Sequence, residues 1–311
     1  MHSGGVSVTD FSRLVLQQFQ IRKKREQKTA FIDLIKSYYS DAIIEEGGFG
    51  KNRNIVIGNV DTAKVIFTAH YDTCAQLPFP NLIFPKNMLF TLIYSVLISI
   101  PFIVVFIPVY QGVEYFTQSF ALAYYTYMLL VFTLIGVVFY GGKPNIHTAN
   151  DNTSGVVTLI ETIAKLPPEQ RSKCAFVFFD NEENGLLGSA FFRKKHKAVM
   201  NNKLIVNVDC VGDGDHILFV SNKKARKYFG DAFYSSFKCE NGKNIRFEKT
   251  TNTFYPSDQM GFPVNIAVAS LKKKPVVGYY LDKIHTKKDI RCDETNIEII
   301  SSGFAEFISK I

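Results

Sequence analysis

Two long stretches without a charged residue divide the chain and restrict what it can fold into. Residues 88–110 and 120–140 comprise 23 and 21 residues, and neither contains Asp, Glu, Lys or Arg. A helix of either length can cross a hydrocarbon core of about 30 Å. Nine residues, 111–119, join the two stretches. The pattern predicts a transmembrane helical hairpin that contacts lipid through residues 88–140, with a buried core hairpin or a hydrophobic dimer lid as the alternative.

The flanks of this hairpin predict its orientation. Lys86 and Lys143 lie on the side to which the chain returns, whereas the tip carries Glu114 and no basic residue. Cytoplasmic flanks are usually enriched in Lys and Arg. Five cysteines without a CxxC pair suit a reducing compartment, and the N-terminus lacks an apolar signal segment. We therefore expect a two-helix membrane protein whose remaining residues face the cytoplasm.

The rest of the chain alternates between short apolar runs and amphipathic segments. Such alternation predicts an α/β fold, a three-layer αβα sandwich around a largely parallel mixed sheet. Residues 1–81 and 143–311 would form this one discontinuous domain, and 82–142 the inserted hairpin. Predicted strands are 54–57, 64–69, 174–179, 204–208, 216–220 and 265–269, and predicted helices are 155–165, 185–196, 225–237 and 294–310, besides two helical segments in the first forty residues.

Charge suggests no nucleic-acid partner. The net charge is +8, but the basic residues are spread along the chain, and runs such as 22–25 and 272–274 contain no interleaved aromatic residues. These runs are interpreted first as solvated faces and second as contacts to anionic lipid.

Acidic and histidine residues recur where predicted strands end, the edge at which α/β sheets bind ligands. The residues concerned are His70, Asp72, Asp151, Glu182, Glu183, Asp209 and His285. Carboxylates gathered at one edge repel each other unless a cation compensates them. Imidazole and carboxylate ligands suit zinc, and a shared carboxylate can hold two ions. Of two adjacent glutamates, one would bind metal and the other act as general base.

Each of these residues also has a purely structural interpretation. Glu182 and Glu183 could complement a helix dipole, Asp151 could cap the following helix, and His70 or His285 could be an ordinary buried polar residue. Asp72 lies two residues after His70 on a strand and therefore points to the same side, where it could accept the imidazole N–H. The joint pattern favours a metal site over these separate explanations.

Six segments carry a resemblance to a known family. They are AHYDT (69–73), ANDNTSG (149–155), FFDNEENGLLGS (178–189), NVDCVG (207–212), YPSDQMGF (255–262) and IHTKKD (284–289). In this order they resemble the M28 family of zinc peptidases, the dizinc aminopeptidases, which have a phosphorylase/hydrolase-like fold. The segments span the whole chain except the hairpin.

The resemblance implies a role for each candidate residue. His70 and Asp209 would bind one zinc ion, Glu183 and His285 a second, and Asp151 would bridge the two. Glu182 would be the general base for a metal-bridging water, and Asp72 would orient His70. Tyr255 could donate to the oxyanion, and Asp258 could support the ligands from outside.

The implied activity is removal of N-terminal residues from short peptides. The spacing departs from the family between Asp72 and Asp151, which lie 79 residues apart because the hairpin intervenes. The pocket would then lie near the bilayer and receive short or apolar peptides released there.

Two other functions remain open from the sequence. One is a glutaminyl-cyclase-like acyltransferase with a single zinc ion, although the chain lacks the tryptophans that line such a pocket. The other is a non-catalytic binding protein on a peptidase scaffold. Carboxypeptidase or dipeptidase activity, the preferred N-terminal residue and the oligomeric state also stay open.

Overall fold

The strands form from buried runs rich in β-branched and aromatic residues. β4, for example, reads CAFVFF and is buried at every position. The computed structural model describes residues 8–239 and 242–311. Its strands are β1 (Ile43–Gly47), β2 (Asn52–Ile57), β3 (Val65–His70), β4 (Cys174–Phe179), β5 (Leu204–Val208), β6 (His216–Ser221), β7 (Asn244–Lys249), β8 (Asn265–Lys274) and β9 (Gly278–Tyr280).

Helices connect these strands and cover the sheet. They are α1 (Asp10–Gln18), α2 (Arg25–Tyr38), α3 (Met88–Val104), α4 (Ile107–Thr117), α5 (Phe120–Phe139), α6 (Gly155–Lys165), α7 (Pro168–Arg171), α8 (Leu187–Lys195), α9 (Lys223–Tyr234) and α10 (Glu294–Ser309). All six predicted strands and all four predicted helices outside the first forty residues form, with ends shifted by a few residues. β1, β7 and the three-residue β9 were not predicted: β1 exposes Ile43 and buries Glu45, the reverse of the usual pattern, and β7 is largely exposed and charge-rich.

The sheet order is β1-β2-β4-β3-β5-β8-β6-β7, with β9 paired to β8. β3 runs parallel to both β4 and β5, and β5 runs parallel to β8. The pairs β1–β2, β2–β4, β6–β8 and β8–β9 are antiparallel. The predicted mixed α/β sheet is confirmed, but its parallel character is concentrated at the centre. Four neighbouring strands, β4, β3, β5 and β8, therefore end at one edge, and the outer pair β6–β7 is also parallel.

Alternating residues of β3 contribute to two apolar layers. Val65, Phe67 and Ala69 belong to a core with residues of α1, α2, α6, α9 and α10. Ile66 belongs to a second core with Phe192 of α8. Helices therefore cover both faces of the sheet, and the layer containing α6 and α10 is the thicker one.

The insertion between β3 and α6 contains three helices where the sequence predicts a two-helix hairpin. Pro101 and Pro108 predict a kink or frayed segment in the helix over 88–110, and the break lies between them: α3 ends at Val104, and α4 continues at an angle of 41°. Pro108 explains the break, because proline suits the first turn of a helix and not its interior. α4 then takes up most of the expected loop, and only residues 118–119 separate it from α5.

Length and composition allow α5 to cross a membrane. It is the one single helix in the described part of the chain that meets this criterion, and only 11% of its apolar window is buried. The bent pair α3 and α4 gives a second crossing only if the two helices act as one span. The prediction of two spanning helices is therefore not confirmed. The exposed side chains of Leu97, Leu129 and Phe132 show that these helices are not core helices of the α/β domain.

Candidate metal centre

His70 occupies the central position of the site. It is the last residue of β3 and its side chain is 1% exposed. Because β3 lies between β4 and β5, the segments that follow those strands flank the imidazole. His70 Nε2 lies 3.3 Å from Asp151 Oδ1 and 3.6 Å from Asp209 Oδ1. The strand order thus brings together residues that are far apart in the sequence.

His285 approaches the same carboxylate from the other side. Its Nε2 atom lies 3.1 Å from Asp151 Oδ2 and 3.3 Å from Glu183 Oε2. Asp151 therefore offers one oxygen to each imidazole. All five predicted ligands line one cavity of about 290 Å³, together with Glu182. The predicted convergence is observed, and the role of each residue as a ligand stays a prediction.

Asp72 has a broader role than the predicted contact to His70. Its carboxylate accepts the backbone N–H groups of Glu182, at 3.0 Å, and Glu183, at 3.2 Å. Asp72 Oδ1 lies 3.6 Å from His70 Nδ1, which is closer, at 3.1 Å, to the Asp72 carbonyl oxygen. Asp72 thus fixes the turn that carries the two glutamates as well as lying beside the imidazole.

Burial and crowding alter the acid–base properties of the cluster. Burial raises the pKa of Glu183 to about 8 and the pKa of Glu182 well above its ordinary value. Burial would lower the pKa of His285, but the Glu183 and Asp151 carboxylates outweigh it and raise that pKa to about 9. The same balance, with Glu182 as the main carboxylate, raises the pKa of His70. The cavity therefore strongly favours added positive charge.

The donor set fits a divalent cation. Glu183 Oε1 and Asp209 Oδ1 are buried and have no hydrogen-bond partner among the described residues. Ligand atoms of His70, Asp151 and Glu183 lie within 4.8 Å of one another, and so do those of His70, Glu182 and Asp209. Buried carboxylate oxygens without donors are costly, and imidazole and carboxylate are both zinc ligands. A bound cation would satisfy these oxygens.

Asp289 supports the shared carboxylate and was given no role by the sequence analysis. Its two carboxylate oxygens accept the backbone N–H groups of Asn150, at 2.9 Å, and Asp151, at 3.0 Å. Asn150 in turn accepts the N–H of Gly212 at 2.6 Å. The Asp151 segment is thereby tied to the end of β5. Asp289 lies in the IHTKKD segment, four residues after His285, which is the signal that could have identified it.

Two buried cations lie behind the cluster, both from the N-terminal forty residues. Lys28 Nζ lies 2.5 Å from Asp180 Oδ1, just before the glutamate pair. Arg22 is fully buried and donates to the Tyr71 carbonyl and, at 3.1 Å, to Thr153 Oγ1. Burial lowers the pKa of Arg22 to about 10, against the opposing effect of Asp72. The prediction of a solvated basic run over 22–25 is wrong for Arg22.

Two further predicted residues are placed less directly. The buried Tyr255 hydroxyl donates to the Asp209 carbonyl oxygen at 3.2 Å. This contact already uses its proton, so the structure does not favour Tyr255 as the oxyanion donor. Asp258 is buried without a hydrogen-bond partner among the described residues, and burial raises its pKa to about 7. Neither residue lines the cavity, whereas the intervening Pro256 does.

The fold and the site together define a class. An α/β sheet with imidazoles and carboxylates at the ends of its central strands is an arrangement suited to metal-dependent hydrolysis. The chain belongs to peptidase family M28: residues 136–307, more than half of its length, match that family. His70 and Asp72 lie outside the matched residues. The comparison with curated proteins found no significant match.

Solved structures share the fold at low sequence identity. A Zn-dependent exopeptidase from Parabacteroides distasonis aligns over 98% of this chain and 99% of its own, with 14% identity and a TM-score of 0.57. The LapA aminopeptidase of Legionella pneumophila aligns over 96% and 67%, with 12% identity and a TM-score of 0.53. Porphyromonas gingivalis glutaminyl cyclase aligns over 98% and 99%, with 13% identity and a TM-score of 0.54. At these identities the likeness concerns the fold alone.

Proposed function

We propose that the protein is a membrane-anchored dizinc aminopeptidase that removes N-terminal residues from short peptides. His70 and Asp209 would hold one zinc ion, Glu183 and His285 the other, and Asp151 would bridge them. The observation that carries the proposal is the position of Asp151, with one carboxylate oxygen 3.3 Å from His70 Nε2 and the other 3.1 Å from His285 Nε2. A carboxylate placed in this way suits a site for two ions.

Glu182 is the proposed general base. Its carboxylate lines the cavity within 4.8 Å of a His70 ring nitrogen, and its backbone N–H donates to the Asp72 carboxylate. It would take a proton from the attacking water and return it to the leaving amine. When bound, zinc would supply Lewis-acid polarisation of the scissile carbonyl and lower the pKa of water.

The charges around the cavity favour an amine over a carboxylate as the recognised end of the substrate. The cavity is lined by the carboxylates of Asp151, Glu182, Glu183 and Asp209, and no Lys or Arg is among its described lining residues. A free α-amino group can donate to these carboxylates, whereas a C-terminal carboxylate would lack a cationic partner. This difference supports aminopeptidase over carboxypeptidase activity.

Anchoring in the membrane is proposed from the insertion. Residues 82–142 would form the anchor, and 1–81 with 143–311 the peptidase domain. α5 would span the bilayer and the bent pair α3–α4 would return through it. Lys86 and Lys143 flank the apolar segment 88–140, so we place the peptidase domain in the cytoplasm. Protease protection of inverted and right-side-out vesicles tests this orientation.

The decisive experiment uses the full chain purified in detergent. We expect about two zinc ions per chain, release of free amine from a Leu-arylamide, and loss of both on treatment with chelator. Glu182→Gln should retain the zinc but lower kcat by about 10²–10⁴-fold. Lys36→Met, an exposed substitution far from the site in sequence, is the control. Zinc without hydrolysis in the wild type would contradict the proposal.

Glutaminyl cyclase activity is the second candidate, because one fold relative is a glutaminyl cyclase. Cyclisation of a peptide beginning with Gln, with one zinc ion per chain and no arylamide hydrolysis, would favour it. A chain without bound zinc and without either activity would favour a binding protein on a peptidase scaffold.

A further inference from the structure

The insertion contributes directly to the cavity that contains the candidate metal centre. We define its first stem as residues 76–87 and its second stem as residues 140–145. Ile83 of the first stem and Tyr140 of the second line the same cavity as Asp151 and Glu182. The sequence analysis gave these stems no role beyond connecting the hairpin to the domain.

The first stem is hydrogen-bonded to the segment that carries His285. The Leu77 N–H donates to the His285 carbonyl oxygen at 2.8 Å. Ile83 forms an antiparallel bridge with Leu281, whose N–H donates to the Ile83 carbonyl oxygen at 3.0 Å. These bonds join main-chain atoms, so the position of the stem does not depend on the Ile83 side chain.

The second stem is attached to the first and to the N-terminal segment. The Gln76 N–H donates to the Lys143 carbonyl oxygen at 2.9 Å. Lys23 Nζ donates to the Tyr140 carbonyl oxygen at 2.7 Å. Ile83 and Tyr140 are thereby held at fixed places relative to the imidazole of His285.

The wall formed by the stems differs chemically from the part of the cavity that carries the carboxylates and imidazoles, which we call the floor. Ile83 packs against an apolar cluster that includes Leu281 and Ile284. The cavity is also lined by the apolar side chains of Leu186 and Ile284 and by the aromatic ring of Tyr140. The first stem also contributes the amide of Asn81, but neither stem contributes a charged side chain to the described lining. A volume of about 290 Å³ lies at the lower end of the usual range for ligand sites, about 300–1,000 Å³, and suits one or two residues.

We infer that Ile83 and Tyr140 determine substrate specificity by contacting the first side chain of the peptide and restricting the enzyme to uncharged, apolar N-terminal residues. The inference rests on the proposed aminopeptidase function. The α-amino group lies on the floor with the carboxylates, and the side chain of the same residue lies against the stem wall. A charged side chain there would lose part of its hydration without gaining a charged partner, because the stems add no charged residue to the described lining.

The test compares Leu-, Lys- and Glu-arylamides with the full-length, zinc-loaded protein in detergent. We expect the wild type to prefer the Leu substrate in kcat/KM by about 10–200-fold, the usual discrimination of an apolar pocket. Ile83→Asp should lower the Leu/Lys ratio by about tenfold or more, because the new carboxylate can pair with lysine. Tyr140→Ala keeps the main-chain carbonyl that binds Lys23 and should also lower the Leu/Lys ratio. The conservative variant Ile83→Val should keep the wild-type ratio.

Ile146→Asp is the matched control, because Ile146 is exposed, lies just beyond the second stem and does not line the cavity. It should leave the ratio unchanged. If Ile83→Asp and Tyr140→Ala lower the hydrolysis of all three substrates by one common factor, the stems are structural supports and the inference is overturned. A wild type that prefers Lys or Glu would overturn it as well. A zinc-loaded wild type that hydrolyses no arylamide would instead refute the proposed function.

Discussion

His70 and His285 face the same carboxylate but are held by different kinds of structure. His70 ends a strand that is hydrogen-bonded on both sides, and its side chain is 1% exposed. His285 follows β9 in an irregular segment, has a backbone φ of 62° and a side chain that is 17% exposed. A positive φ is unfavourable for a residue other than glycine. The segment retains it because the first stem binds the carbonyl oxygens of Ile284 and His285 and the second stem binds that of Thr286.

This contrast shows that the two halves of the site depend on different parts of the molecule. The His70 half is a consequence of sheet topology, and buried cations behind it offset its carboxylates. The His285 half depends on loops and on the stems of the insertion. We therefore expect substitutions in the His70 half mainly to lower the free energy of unfolding. Substitutions in the His285 half should mainly displace the candidate ligands and lower activity.

The largest effect should come from Asp151, which belongs to both halves. Residues that support metal ligands typically contribute about 10–100-fold in activity or metal affinity. Asp151 is itself the proposed bridging ligand, so Asp151→Asn should have a larger effect: kcat/KM should fall by about 1,000-fold and the zinc content should decrease. Arylamide hydrolysis and elemental analysis measure the two effects. Asp61→Asn, an exposed site, is the control. Unchanged zinc content and activity would contradict the sharing of Asp151 between the halves.

The stability of the His70 half is tested at Lys28. Lys28→Met leaves the buried Asp180 without its cation, and breaking such a pair costs about 3–5 kcal/mol in free energy of unfolding. Denaturant unfolding in detergent measures this loss. Lys36→Met on the same helix is exposed and should change the value by less than about 0.5 kcal/mol. Equal effects of the two variants would show that the buried pair is not a support.

The geometry of the His285 half is tested at Asn145. Its buried amide donates to the Thr286 carbonyl oxygen at 3.0 Å and so links the second stem to the His285 segment. Asn145→Ala should cost about 1–3 kcal/mol of stability and lower kcat/KM by about tenfold or more.

The matched variant in the other half is Thr68→Val, which removes the bond from Thr68 Oγ1 to Asn207 Oδ1 at 2.8 Å. We expect a similar loss of stability but little loss of activity, because β3 keeps its main-chain pairing. Equal losses of activity in both variants would remove the distinction between the two halves.

The smallest effect on catalysis should follow replacement of residues 88–139 by a flexible Gly-Ser linker. Both stems remain, so kcat/KM for a soluble arylamide should change by less than about tenfold. The protein should also leave the membrane fraction and stay soluble without detergent. Membrane flotation and gel filtration measure this. An insoluble product would show that the insertion is part of the core.

Most of the sheet and the convergence of the site residues were predictable from the sequence. Strands such as β4 and β5 are short, fully buried and followed by polar residues, so their apolar runs and their boundaries both identify them. β1 and β7 could not be found in this way, because β1 buries Glu45 and exposes Ile43, and β7 is short of buried apolar residues. Pro101 and Pro108 predict the bend after α3, but the apolar pattern does not show that a new helix begins at Ile107 and extends to Thr117.

The supports of the site were harder to predict than the candidate ligands. Arg22, Lys28 and Asp289 act through contacts with residues that are distant in the sequence. Arg22 belongs to a basic run that resembles a solvent-exposed face, and only the tertiary structure shows that its side chain is buried. The stem contacts of Ile83 and Tyr140 likewise depend on where the insertion leaves and re-enters the domain.

The central place of β3 has a consequence for how the polypeptide can be divided. β3 precedes the insertion, but both of its neighbours, β4 and β5, follow it. A fragment limited to the family-matched residues would lack the middle strand and His70. By contrast, a cut at residues 118–119 would leave two pieces joined by main-chain hydrogen bonds on both edges of β3. Two separately encoded pieces divided there should therefore assemble into one non-covalent unit when they are produced together.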